Sequence, residues 1–191
     1  MKITREMLKA KGACAAGYRE FCATFPADKY PDGVDYQEVL DKCAENDRDN
    51  HASWLLGEFG RTDDIKYIDG DLVSDNSIYV CGRLEVTGKI ICKKRIEAGC
   101  SIKAGCSIEA GCSIKAGWGI EAGDGIKAGW GIEAGCSIKA GCSIEAGEGI
   151  KAGEDYGIYA GIKCRLSLRD WRKISAKSKP ENIMCGEWVG K

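Results

Sequence analysis

The chain has 191 residues, with 28 Lys and Arg against 29 Asp and Glu, and 44% of it is hydrophobic. That length holds one domain or two small ones, and the even charge excludes a surface that is basic throughout and built for nucleic acid. The charge is nevertheless segregated: residues 1–64 carry 9 basic and 13 acidic side chains, 65–157 carry 11 and 13, and 158–191 carry 8 and 3.

The opening MKITREMLKAKGAC lacks the apolar run of a signal peptide, and no window approaches a membrane span, so a cytoplasmic protein with no membrane partner is expected. Twelve cysteines would suggest disulfides in a secreted chain, but the cytosol keeps thiols reduced. No C-x-x-C pair occurs, and the single histidine, His51, cannot complete a zinc set of the usual kind. Neither metal nor cofactor is expected.

Residues 1–64 read as a small helical module. Met7, Leu8 and Ala10 lie in a short first helix that Gly12 weakens. Ala15, Tyr18, Phe21, Cys22 and Phe25 recur at helical spacing until Pro26 ends the segment. Asp35 and Glu38 form a capping box ahead of a helix carrying Val39, Leu40 and Cys43. Asn46 or Asp47 precedes a last helix with Ala52, Leu55, Leu56 and Phe59, and Gly60 stands where a C-terminal glycine belongs. So small a module is marginal alone and is expected to lean on the repeat beside it.

Residues 65–157 carry a six-residue period. An aliphatic side chain stands at every sixth position from Leu72 to Ile150, and from Ile96 the unit is Ile-[Glu/Lys]-Ala-Gly-x-[Ser/Gly]. So strict a short period means stacked coils that bury their apolar side against their neighbours. Ile and Ala, two apart, face the interior; Glu or Lys between them faces out, and Gly is expected to free the backbone for a corner. The charges decide the coil length. Glu and Lys alternate strictly from Glu97 to Lys151. Two hexads per coil would stack like on like about 4.8 Å apart, at on the order of 1 kcal/mol per contact. Three hexads stack Glu97 under Lys115 and Lys115 under Glu133, each beside its opposite. The fifth position also varies in blocks of three. We therefore expect a mainly β fold: a three-sided, left-handed hexapeptide-type β-solenoid of 18 residues per coil, with a flat 12-residue coil as the alternative. Residues 158–191, irregular and basic, are expected to add a strand or two and cap the open end.

An acyltransferase built on such a coil needs a histidine base, and His51 lies outside the repeat among charged neighbours, so no enzyme and no catalytic residue is expected. There is no G-x-S-x-G and no phosphate loop. The repeat cysteines are core fillers if the fifth position points inward, and thiols without an activator if it points outward. Threonine arrays for ice and an acidic face that mimics DNA are both missing from the repeat. One irregularity remains. Trp118, Asp124 and Trp130 occupy consecutive fifth positions and are followed by Gly instead of Ser. Neither Trp nor Asp fits the interior of a narrow coil, so this position is expected at outward corners. These residues either anchor a partner or pack under the end segments. In the tail, Arg165, Arg169, Arg172, Lys173, Lys177 and Lys179 surround Trp171, a second candidate partner face centred on Arg169, Trp171 and Arg172; a protein, not nucleic acid, is its expected ligand.

The opening MKITREMLKAKGACAAGYREF, the stretch HASWLLGEFG, the IEAGxG-type repeats and the Trp-containing basic end together resemble a group of small proteins encoded by temperate phages and prophages. The resemblance covers nearly the whole chain. It carries over no functional residue and implies a setting: small phage proteins often act by binding a host protein, including antiviral complexes such as CRISPR effectors. The resulting expectation is a non-enzymatic binder of a host protein. A self-assembling or homodimeric structural protein is the alternative.

Overall fold

The computed structural model describes residues 1–162 and 173–190. Four helices open it. Helix α1 (Arg5–Ala10) starts on Thr4, whose hydroxyl accepts the Met7 N–H. Helix α2 (Ala15–Thr24) starts on Cys14, whose sulfur accepts the Gly17 N–H, and ends just before Pro26. Helix α3 (Tyr36–Glu45) starts on Asp35, which accepts from the Gln37 and Glu38 N–H groups. Glu38 does not complete a capping box but accepts the Tyr30 hydroxyl at 2.9 Å.

Helix α4 (Asp49–Phe59) starts on Arg48 with no side-chain cap, which corrects the expectation of Asn46 or Asp47 in that role. Asp47 instead closes α3. It takes φ +56°, its N–H reaches the Ala44 carbonyl, and the Arg48 N–H reaches the Cys43 carbonyl, the paired bonds of a Schellman turn. Gly60, at φ +70°, ends α4.

The repeat forms a three-sided parallel β-solenoid with 18 residues per coil. Its first wall holds Ile65–Ile68, Arg83–Val86, Ile102–Ala104, Ile120–Ala122, Ile138–Ala140, Ile158–Ala160 and Ile183–Cys185. The second holds Leu72–Ser74, Ile90–Cys92, Ile108–Ala110, Ile126–Ala128, Ile144–Ala146, Lys173–Ala176 and Glu187–Gly190. The third holds Ile78–Val80, Ile96–Ala98, Ile114–Ala116, Ile132–Ala134 and Ile150–Lys151. Register runs Glu97↔Lys115↔Glu133↔Lys151 on the third wall, the opposite-charge stacking that excludes the 12-residue coil. The Ile and Ala positions are buried from coil to coil in one continuous core. Each buried isoleucine contributes roughly 1.5–3 kcal/mol.

The repeat glycines serve a different purpose from the one expected. Those that follow Ala keep a negative φ or an extended backbone, so freedom to turn is not the requirement. A Cβ on Gly105 would lie 1.9 Å from the Thr87 carbonyl oxygen, and one on Gly123 would lie 1.8 Å from that of Gly105. Glycine is needed because the coils touch backbone to backbone at this point.

The tail does more than cap. Its strands Ile158–Ala160, Lys173–Ala176, Ile183–Cys185 and Glu187–Gly190 continue the first and second walls in parallel register. Trp188 packs against the solenoid core. At the other end the helical module covers the start of the third wall, and Tyr79 and Cys81 belong to its hydrophobic core. The Tyr79 carbonyl and Cys81 N–H face away from the neighbouring strand, toward an empty edge. Gln37 fills it, donating to the Tyr79 carbonyl at 2.7 Å and accepting from the Cys81 N–H at 3.1 Å. One side-chain amide thus replaces the missing strand.

Candidate binding surface on the third wall

The fifth hexad position lies at the corners and points outward. Trp130 is 58% exposed and Trp118 41% exposed, while Asp124 is also exposed. Their chain neighbours place them at three different corners. Trp118 follows the third-wall strand Ile114–Ala116, Asp124 the first-wall strand Ile120–Ala122, and Trp130 the second-wall strand Ile126–Ala128. The two tryptophans therefore border the third wall on either side, and Asp124 stands at the remaining corner, away from it. Trp118 is partly covered: it stays 41% exposed, and the Arg61 guanidinium lies 4.7 Å from its ring centre. Arg169, Trp171 and Arg172 lie outside the described residues.

Between the tryptophan corners the third wall carries a groove of about 760 Å³. Lys115, Glu133 and Lys151 line its floor, with Arg95 and Glu97 at one end and residues 178–182 at the other. Lys115 and Glu133 pair at 3.8 Å and are each about half exposed. Glu97 is buried, accepts the Ser53 hydroxyl at 2.7 Å and lies 4.0 Å from Arg95. The Tyr79 hydroxyl, held in its protonated form by burial, donates to Asp49 at 2.8 Å. These contacts fix helix α4 against the wall, so one end of the groove is rigid. Sequence reasoning missed the groove because residues 178–182 sit far from the repeat in the chain and carry no periodic signal.

The corner cysteines are divided by what covers them. Cys100 is buried beneath the Thr62 carbonyl, and burial raises its thiol pKa; Cys106 is exposed. A second cavity, of about 390 Å³, lies inside the helical module among Phe21, Val39, Trp54 and Leu55 and reaches Cys14 and His51. A thiol, an imidazole and the Glu20 carboxylate thus share its rim. His51 Nδ1 is 3.7 Å from Glu20, beyond hydrogen-bond length, and Glu20 is taken by Arg48 at 2.8 and 2.9 Å. On the other side of the ring, His51 Nε2 and Cys14 Sγ would each lie 3.4 Å from a Cβ placed on Gly17. Among the described residues no cluster of three or more His, Cys, Asp or Glu is placed to hold a metal, and no helix is long and apolar enough to cross a membrane.

Residues 1–61 match the family model of the YdhT N-terminal domain, which covers the helical module and stops before the solenoid. Searches of curated proteins and of solved structures returned no match.

Proposed function

We propose that the protein is a non-enzymatic binding protein that holds a host protein in the cytoplasm against its third wall and the two tryptophan corners. The observation that carries this reading is Trp130, 58% exposed on a rigid corner beside the groove, with Trp118 on the opposite border. Large exposed aromatics on a rigid backbone lose little entropy on binding and are the usual anchors of interfaces. Mixed charge on the groove floor gives a partner register without demanding a strongly basic or acidic one. The resemblance to phage-encoded proteins supports the sharper version, in which the partner belongs to a host antiviral complex such as a CRISPR effector.

The test is retention of a host protein by immobilised protein. Wild type should retain one component specifically, and Trp130→Ala should weaken retention at least about tenfold, the effect expected of an anchor tryptophan. If wild type retains nothing, or Trp118→Ala and Trp130→Ala both leave retention unchanged, the reading is wrong. The antiviral version predicts that expression restores phage plating on a CRISPR-immune host; unchanged plating removes that version alone.

A further inference from the structure

The first wall has a property that the other two lack. Its outward residues, read along the stack, are Tyr67, Glu85, Lys103, Glu121, Lys139 and Tyr159, with Met184, 66% exposed, beyond them on the last strand. Four charges alternate between two tyrosines. Reverse this ladder about its midpoint and Lys103 meets Glu121, Glu85 meets Lys139, and Tyr67 meets Tyr159. An even number of alternating charges is complementary to its own reversal, and reversal is what a two-fold axis perpendicular to the wall performs.

The other walls fail the same parity test. The second wall presents Glu109, Lys127 and Glu145, and the third presents Lys115, Glu133 and Lys151 in the open. Three alternating charges reverse onto themselves, so each meets its like. The third wall is further obstructed by helix α4 and by residues 178–182.

We propose that the first wall is an isologous interface with a second copy of this chain. Its central charges are available for the purpose. Lys103 and Glu121 are exposed, and among the described residues neither has an ion-pair partner within 4.0 Å. Lys115 and Glu133 on the third wall, by contrast, are already paired. The outer charges are less free, since Arg83 lies 3.1 Å from Glu85 and Lys139 lies 5.7 Å from the Tyr159 ring centre. The central Lys103–Glu121 contacts, made twice by the two-fold, therefore set the register. Tyr67, 60% exposed, supplies apolar area at each end. Five steps of about 4.8 Å span the ladder, and a six-residue side is at most about 20 Å across, so the face offers no more than about 500 Å². That is below the roughly 800 Å² per partner of a standard interface, so the dimer is weak and sensitive to salt.

The test is sedimentation velocity of the full chain over a wide concentration range, with circular dichroism of every variant to confirm folding. Wild type should pass from monomer to dimer with concentration, and half-molar salt should weaken the dimer about tenfold. Lys103→Glu and Glu121→Lys should each remain monomeric. Mixed together, these two variants should form the heterodimer, because each supplies the charge the other needs. The double variant Lys103→Glu, Glu121→Lys should also dimerise, although it stacks like charges within its own walls. That contrast separates pairing between chains from stability within one. Should a reversal disturb the fold, Lys103→Gln introduces no like charge and should weaken the dimer several-fold. A monomer at every concentration overturns the proposal, as does a dimer indifferent to these substitutions. So do open higher oligomers, which would mean that the second and third walls pair with one another. Binding of a host protein to the third wall is unaffected by any of these outcomes.

Discussion

Among single residues, the glycines at which backbones of successive coils touch are under the tightest constraint. Two kinds of glycine occupy the repeat. Those after Ala have no room for a side chain; those in the sixth position have some, since a Cβ on Gly119 would lie 3.3 Å from the Ser137 carbonyl oxygen. The sequence itself accepts either Gly or Ser at the sixth position and never relaxes the fourth from Gly99 to Gly153. Gly123→Ala should therefore cost about 3 kcal/mol or more, because neither backbone can move without shifting a coil. Gly119→Ala should cost under about 1 kcal/mol. Urea denaturation of the two variants checks this, and equal costs would mean that the coils slide apart freely. The fourth-position glycine was legible as obligatory from the repeat, but its reason was not: a turn and a close approach give the same residue, and only the neighbouring coil tells them apart.

Among elements, the helical module is where titration should be felt. Burial, and then the Glu20 carboxylate, push the Cys43 thiol up to about 11, against the nearby Arg48. Burial likewise raises the Tyr36 and Tyr79 phenols. A folded-state pKa above the unfolded value favours the protonated native form. Its contribution is complete below the unfolded thiol value of about 8.5 and is lost as pH rises through the folded one. The midpoint of helix melting, followed by circular dichroism, should thus hold steady to about pH 8.5 and fall toward about pH 11. In Cys43→Ala the first part of that fall should flatten; an unchanged slope would show that the thiol is not responsible. Helices α1 to α3 were readable from their apolar spacing, and the start of α3 also from Asp35, while the Thr4 and Cys14 caps went unread. The start of α4 was not, because Asn46 and Asp47 suit both the end of one helix and the start of the next, and the Schellman bonds at Ala44 and Cys43 choose the former.

For the whole molecule, the question is how an edge strand at the beginning of a solenoid avoids recruiting another chain. Gln37 answers it by holding the Tyr79 carbonyl of the Ile78–Val80 edge and the Cys81 N–H just beyond that strand. Gln37→Leu keeps the volume and removes both bonds. It should cost roughly 2–4 kcal/mol, as two buried backbone groups lose their partners. The Cys81 amide should also exchange faster with solvent. If its protection is unchanged, the module adheres through apolar packing alone and the amide is incidental. Nothing in the sequence marks this glutamine, since it follows Tyr36 on an ordinary amphipathic helix and its targets lie more than forty residues away.

The order of residues was enough to specify the solenoid, its three sides and its 18-residue coil. Those properties are periodic, and the alternation of Glu with Lys has a lower energy in only one stacking. The same order placed Trp118 and Trp130 at outward corners, because a narrow interior has no volume for them. It took the folded molecule to establish that Trp118 lies against Arg61 while Trp130 stays 58% exposed. The groove closed by residues 178–182 and the cover that helix α4 gives the third wall likewise emerged only on folding. These are contacts between segments with no common period, made by packing at long range, and a one-dimensional pattern does not encode which segment covers which wall.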